Sequence, residues 1–571
     1  MENAYDMQRG QRMMSGTRRT VAVLLGAAAL AAGFVAHAGT QAEAKSEERV
    51  KQALDRIEQL VAAADSGPGI AIGLTDRERL RGVVVHGYAD LKAKTPVTAD
   101  TRFAIGSISK SFTAVTLLQL ADEGKFDPAA PVSKYLPSFR VDSRYPQITG
   151  HSLLNHTSGL PNYYPNLSSM RYVVHALHEF QPTYAPGEHF QYSNTGYQVL
   201  GYVVERIEGE AFAAVLKRRV LDRLGMHATL PQMDDSARQA LAVSYQRWPY
   251  DDSYVEANWF PYTAADGGIA STVGDMSAYV RFILNRGATP QGRLLSPAAF
   301  EKFTTPALDD YAYGVSVTRP AQRTVVSHGG AIYGFRSYLE AHVDEGFGVM
   351  FLANGRLDAR MMGEVISIAS TAFGGSGKAS MTRESDDRPM DAASYAGTYR
   401  RQDGTAVVFS RGADGALSLE QSDGARIGLI KMGENIYGSG ATGAYLFFAD
   451  EKHPERGAQE VSNGADWYVK EGAAADRKLT LPEQYRAYVG RYRNHSDEGP
   501  DVRVFARRGR LVVAPAESAG PATELEPVGP ASFRPVSPSF SAERLTFDTV
   551  DEGMALRLRM TGVPLYRMDV P

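Results

Sequence analysis

A seven-residue run occurs twice near the end of the chain, as SYAGTYR at Ser394 to Arg400 and as AYVGRYR at Ala487 to Arg493. Each copy opens a stretch that ends in an aromatic run, DWYVK in the first and PLYRM in the second. Between those ends the first copy has short alternating runs such as TAVVFSR, GALSLEQ, ARIGLIKM and AYLFFAD, separated by Gly, Asp and Asn. Alternation of period two, punctuated by turn residues, is how an antiparallel sheet with one buried face reads. A unit of this size that recurs has its own core. The last third of the chain is therefore expected to fold as two similar antiparallel β-barrels, over 393–475 and 480–571.

Upstream the texture differs. Between about Glu47 and Phe373, runs with helical period, such as SFTAVTLLQLADEGK closed by Gly124, mix with strand-like ones such as GVVVHGYAD. That predicts an α+β or mixed α/β body over 45–373. The stretch GGSGKASMTRESDDRPMDA, Gly374 to Ala392, is Gly/Ser-rich and then charged, without periodicity, and reads as a linker. A chain of 571 residues is in any case too long for one hydrophobic core. At the start, Arg18 and Arg19 precede VAVLLGAAALAAGFV and then Ala36-His37-Ala38. This is the pattern of a signal peptide over 1–44, with cleavage near Gly39 or, after Ala42-Glu43-Ala44, near Lys45. The apolar run is short for a membrane span. Export to the periplasm or medium is expected, with an uncleaved anchor as the alternative. The chain has no cysteine, which removes disulfides, a thiol nucleophile and a lipidated cysteine. A net charge of −4 gives no general pull toward nucleic acid.

Three short elements carry possible chemistry. Ser107-Ile108-Ser109-Lys110 heads the apolar run AIGSISKSFTAVTLLQL, Ala104 to Leu120. On a helix, positions i and i+3 share a face, so the Lys110 amine reaches Ser107. Burial of that face would lower the lysine pKa and leave a neutral amine to act as base. A serine on the first helical turn also lies beside N–H groups that can hold an oxyanion. The plainer alternative is that Ser107 or Ser109 only caps the helix. It is the one Ser-x-x-Lys in the chain.

The second element is Tyr192-Ser193-Asn194, on a loop ahead of an apolar-periodic helix. Tyr164-Pro165-Asn166 and Tyr492-Arg493-Asn494 match the same Tyr-x-Asn pattern, and context favours Tyr192. The third is VVSHGGAIYGF, a strand leading into His328-Gly329-Gly330. Two glycines weaken a strand unless a ligand or another backbone approaches closely. A substrate along that edge would supply the reason, as would a bulge or turn before Tyr333-Gly334-Phe335.

In this order, Ser-x-x-Lys, Tyr-x-Asn and His-x-Gly resemble the serine β-lactamase and penicillin-binding-protein superfamily. More narrowly they look like its class C-like branch, which includes D-aminopeptidases, carboxylesterases and D,D-carboxypeptidases. LLNHTSGLP at Leu153 to Pro161 and DGGIASTVGDM at Asp266 to Met276 are similar to further signatures of that branch. The resemblance covers about residues 50 to 373. It implies a β-lactamase-like domain with an antiparallel sheet and a helical subdomain, followed by two small lipocalin-like barrels. Ser107 would be the acylated nucleophile, Lys110 its proton acceptor or the group that depresses neighbouring pKa values, and Tyr192 the base that shuttles a proton to the leaving group. Which of Lys110 and Tyr192 deprotonates the serine stays open. Asn194 would orient the substrate amide, and the N–H groups of Ser107 and Ala331, just after Gly329-Gly330, would form the oxyanion hole. His156 is implied to be structural, Asp275 to cap a helix with Thr272 in a Thr-x-x-Asp box, and Asp266 is a candidate to meet a substrate amine. Nothing implies a metal or cofactor.

His328 is counted with the catalytic set and departs from the superfamily's common lysine. A cation there meets a substrate carboxylate, whereas an imidazole with pKa near 6.5 is mostly neutral at pH 7. The expected substrate is a small molecule or peptide handled by an aminopeptidase, amidase or esterase acting through an acyl-enzyme. The competing expectations are a β-lactamase or D,D-carboxypeptidase, a penicillin-binding protein with slow turnover, and a catalytically silent scaffold.

Overall fold

The computed structural model describes residues 43–568, apart from 65–66, 163–168, 248–252, 376–391 and several turns of the C-terminal sheets. The expected signal segment up to 42, the Tyr164-Pro165-Asn166 match and most of the expected linker lie outside the described residues.

The body is built on one antiparallel sheet of seven strands: β1 (Gly69–Asp76), β2 (Leu80–Asp90), β3 (Thr95–Pro96), β4 (Ser316–Thr318), β5 (Val325–Ile332), β6 (Phe335–His342) and β7 (Phe347–Ala353). Their spatial order is β4-β5-β6-β7-β1-β2-β3. Both faces are covered, so β1 and β7 read as nearly continuous apolar runs and alternation shows only in what each residue touches. Ile70, Ile72, Leu74, Val349 and Phe351 pack beneath a helix over 43–63 and the Ala359–Ala372 helix. Ala71, Met350 and Leu352 point the other way, into the core that holds the remaining helices.

At the centre of that second core is the Ser109–Asp122 helix, in which every residue from Ser109 to Leu120 is buried. A helix apolar on all sides must be surrounded. Each of Phe112, Leu117 and Leu120, fully buried, contributes about 1.5–3 kcal/mol by transfer from water. The head of this helix is thereby fixed against the sheet.

The C-terminal part follows the repeat. Strands between Gly397 and Lys470 form a nine-stranded sheet that is nearly closed, and strands between Gly490 and Arg567 close into an eight-stranded barrel. The repeated run makes the same bond in both. The Tyr399 hydroxyl donates to the Tyr395 carbonyl at 2.9 Å, and Tyr492 to Tyr488 at 3.0 Å. The shared glycines, Gly397 and Gly490, have φ of 142° and 152°. A Cβ on them would stand 2.6 Å from Lys470 Cε and 2.5 Å from Arg567 Nη1. Those two cations lie over the Tyr399 and Tyr492 rings, at 5.6 and 5.2 Å. Tyr492 is thus a barrel core residue and Asn494 bonds the Pro564 carbonyl, which leaves the Tyr492-Arg493-Asn494 match without a cleft.

Candidate active site

Ser107 lies in a short 3-10 turn, Gly106–Ile108, that runs directly into the Ser109–Asp122 helix. Gly106 has φ of 48°, and a Cβ there would meet the Ala331 nitrogen at 2.6 Å. The turn therefore presses its backbone against β5, which sets Ser107 beside Ala331. One turn on, Lys110 is 0% exposed, and its Nζ donates to Ser107 Oγ and to the Asp266 carbonyl, both at 2.9 Å. Burial lowers the Lys110 pKa to about 8, against the opposing pull of the Asp266 charge. Ser109 has a different task. It is 1% exposed and its Oγ accepts the Ile269 N–H at 3.2 Å.

Tyr192 is held from behind. Ser193 caps the Asn194–Glu208 helix, its Oγ accepting the Gly196 N–H at 2.9 Å and donating to the Pro161 carbonyl at 2.7 Å. The Ser193 N–H donates to His156 Nδ1 at 3.0 Å. An acceptor Nδ1 means a neutral imidazole, and burial holds the His156 pKa well below the ordinary value. Its ring packs 4.2 Å from that of Tyr192. The Tyr192 phenol is hydrogen-bonded to Ser107, and burial pushes its pKa far above the ordinary tyrosine value. Asn194 donates through Nδ2 to Asn162 Oδ1 at 3.0 Å.

β4 pairs with β5 only at Val325, Val326 and Ser327. From His328 to Ala331, β5 has β6 on one side and, among the described residues, no strand on the other. This is a free backbone edge beside the nucleophile. Gly329 is exposed and its Cβ position is open, with nothing closer than 3.9 Å. Gly330 has another reason: a Cβ there would lie 2.0 Å from the Ile105 carbonyl oxygen. The close approach at Gly330 is thus by the neighbouring backbone, the other reason a strand glycine can have. Of the bulge or turn alternative, no bulge interrupts the β5–β6 register, but a turn is present at Tyr333-Gly334, between the paired Ile332 and Phe335.

His328 is 8% exposed. Its Nδ1 donates to the Gly329 carbonyl, so Nε2 accepts from the Tyr311 hydroxyl, at 2.9 Å. Burial, reinforced by the Lys110 charge, lowers its pKa to about 4. The expected titration near 6.5 is corrected: the imidazole is neutral throughout the physiological range.

Asp266 is also corrected. It is 3% exposed, lies beneath Lys110, and its Oδ2 accepts from the Tyr262 hydroxyl at 2.8 Å. Burial raises its pKa. Covered in this way it cannot meet a substrate amine, and its place is under the lysine. The capping box is half right: Thr272 accepts the Asp275 N–H at 3.3 Å, but the Asp275 carboxylate turns to the Thr229 hydroxyl at 2.7 Å. Sequence reading missed Tyr311, Asn162 and Tyr262, three uncharged residues on loops that no short motif marks. Among the described residues, no group of His, Asp and Glu is placed to hold a metal ion.

A profile of the beta-lactamase family matches residues 54–371. The chain belongs to the beta-lactamase family. It is 27% identical over 386 residues to penicillin-binding protein 4* of Bacillus subtilis (strain 168), a match that spans 62% of this chain and 83% of that one. It is 28% identical over 331 residues to a D-aminopeptidase of Gluconobacter oxydans (strain 621H), spanning 52% and 58%. In fold it is similar to the octameric penicillin-binding protein homologue from Pyrococcus abyssi, with a TM-score of 0.53 at 19% identity over 81% of this chain and 98% of that one. An 81% share is more than the body alone holds, so the similarity in fold reaches into the C-terminal sheets. The chain is a serine hydrolase of the beta-lactamase family, with a beta-lactamase-like body followed by two barrel-like sheets. Among the described residues, no helix is long and apolar enough to cross a membrane.

Proposed function

We propose that this hydrolase acts on small amides, peptides or esters through an acyl-enzyme on Ser107, and that it disfavours substrates bearing a carboxylate beside the reacting group. Aminopeptidase, amidase or esterase chemistry fits best. The observation that carries the preference is His328. In the place where a lysine would meet a carboxylate stands an imidazole that is buried, bonded to Tyr311 and neutral. The Arg-Arg pair, apolar run and Ala-x-Ala site support export to the periplasm or medium.

Lys110 is the acylation base in this reading. Its pKa, near 8, leaves free amine available near neutral pH, whereas the Tyr192 phenol stays protonated. The amine takes the proton from Ser107 Oγ as the oxygen attacks the carbonyl. The N–H groups of Ser107 and Ala331 receive the developing oxyanion. Tyr192 gives its proton to the departing nitrogen or oxygen and is reprotonated from Lys110. A water then attacks the ester, and the proton path runs in reverse.

Two pH dependences follow. Loss of the free amine below the Lys110 pKa makes kcat/KM for a neutral ester fall about tenfold per pH unit below about 8 and level off above it. The ratio of rates for a carboxylate-bearing ester and its neutral amide analogue stays flat from pH 5.5 to 8, because His328 gains its charge only toward about 4. Steady-state rates on that pair check both. A strong preference for the carboxylate compound at pH 8 would instead favour β-lactamase or D,D-carboxypeptidase work. The match to penicillin-binding protein 4* supports the second reading, in which acylation by penicillin persists and turnover is slow.

The second barrel has a share in the site. The Asn162 N–H, on the residue that holds Asn194, donates to Glu543 Oε1 at 3.3 Å. Glu543→Ala removes that tie, and the expected result is a higher KM with kcat within about threefold, since Asn194 orients substrate and does no proton transfer. A folded chain ending near Gly374 should accept a wider range of esters, and an unchanged ester profile would separate the barrels from specificity.

A further inference from the structure

The cavity beside His328 is walled on one side by Tyr192, the proton donor of the mechanism above, which leaves Phe190 and Asp309 in the rest of its lining without a role. It holds about 370 Å³ and opens to solvent between Phe190, Tyr192, Asp309, Tyr311 and His328. It lies where the free edge of β5 begins, three residues before Ala331. At about 3.3 Å per residue, a substrate stretched along that edge with its carbonyl at Ala331 reaches the cavity about 10 Å farther on.

The walls are aromatic. The Phe190 and Tyr311 rings have centroids 5.5 Å apart, and Tyr192 meets Tyr311 edge to face at 6.2 Å. The lining contains one charged residue, Asp309, and neither lysine nor arginine. Asp309 is exposed, and among the described residues its carboxylate has no hydrogen-bond donor or cation as partner. It sits in a tight turn from Leu308 to Tyr311, closed by the Tyr311 N–H on the Leu308 carbonyl at 3.0 Å. Asp309 and Asp310 both have left-handed backbones, with φ of 50° and 56°. A turn of this kind ordinarily has glycine at its second central position. Here it sets a carboxylate at the cavity rim and, in the next residue but one, places the phenol that holds His328.

We infer that this cavity is a subsite for an organic cation, an ammonium or guanidinium group on the substrate about 10 Å from the scissile carbonyl. Aromatic faces attract a cation through their ring electrons and the lone carboxylate at the rim adds a charge of the right sign, whereas Lys110, whose Nζ lies 4.9 Å from the Tyr192 ring centroid, opposes a cation at the inner wall, so the cation belongs at the rim beside Phe190, Tyr311 and Asp309. A substrate carboxylate at the rim meets repulsion from Asp309, and Lys110, the cation against the Tyr192 ring, is fully buried. The assignment rests on the proposed acylation of Ser107 with the substrate carbonyl held at Ala331, takes the substrate to run along β5, and narrows the substrate class to one with a positive charge.

The test reads binding and so does not depend on turnover. The full-length protein is titrated by calorimetry with (6-hydroxyhexyl)trimethylammonium and with its uncharged isostere 7,7-dimethyloctan-1-ol. Wild type should bind the cation about tenfold more tightly than the alcohol, the range expected for a partly desolvated aromatic site with one carboxylate. Asp309→Asn should remove most of that difference and leave the alcohol's affinity unchanged. Asparagine accepts a left-handed backbone, so the turn is retained, and an unchanged melting temperature checks it. Asp310→Asn should keep the full preference. Equal binding of the two compounds by wild type, or an Asp309→Asn variant that keeps the preference, would overturn the assignment. A protein that binds the cation and hydrolyses no ester or amide would retain the subsite and refute the proposed hydrolysis.

Discussion

Replacing Lys110 with methionine is expected to stop hydrolysis and to stabilise the fold. The first effect follows from the loss of the base and amounts to about 10³- to 10⁴-fold in kcat/KM. The second follows from burial. The folded-state pKa lies near 8, below the ordinary 10.5, so the unfolded chain binds the proton more tightly and the folded state is penalised whenever the lysine is charged. The difference corresponds to about 3 kcal/mol at neutral pH. The penalty is complete below pH 8 and fades as pH rises from 8 to 10.5, so wild-type stability should climb across that window. Methionine is unbranched, of similar length and apolar. Its lost hydrogen bonds to Ser107 Oγ and the Asp266 carbonyl offset about 1–2 kcal/mol, leaving a net gain of about 1–2 kcal/mol. Denaturant melts of both proteins from pH 7 to 10.5 check it. A variant less stable than wild type with the same pH slope would show that Lys110 carries no such penalty.

The two serines of the helix head should separate cleanly. Ser107→Ala removes the nucleophile, with a fall in kcat of about 10⁴-fold or more and a melting temperature little changed. Ser107 is half-buried and its hydroxyl fills no core position. Ser109→Ala should do the reverse. It leaves the Ile269 N–H buried without an acceptor, which costs about 1–3 kcal/mol, while kcat of the folded protein stays near wild type. Parallel kinetics and thermal unfolding read both, and similar losses of kcat in the two variants would mean the nucleophile is misassigned.

What was legible in the sequence had a short-range cause. The spacing of Ser107 and Lys110 fixes a shared helix face whatever surrounds it. The barrel repeat was legible because its tyrosine, glycine and second tyrosine make a local bond. What was not legible depends on partners far away in the chain. The His328 pKa is set by burial and by Lys110, 218 positions earlier, and Tyr311 reaches its imidazole from another loop. Asp266 seemed available because it precedes two glycines, but Tyr262 and Lys110 cover it. Gly330 makes room for Ile105, a residue no local pattern connects to it. The likeness of the two barrels was plain, but the nine strands of the first and the eight of the second were not, because strand count depends on closure and not on alternation.

The most direct measurement is rapid-quench mass spectrometry of the full-length enzyme during turnover of a p-nitrophenyl ester. The acyl mass should appear on the peptide carrying Ser107 during the burst of nitrophenol and decay at the rate of turnover, and Ser107→Ala should show neither. Turnover without an adduct on that peptide, or an adduct on any other residue, would contradict an acyl-enzyme at Ser107.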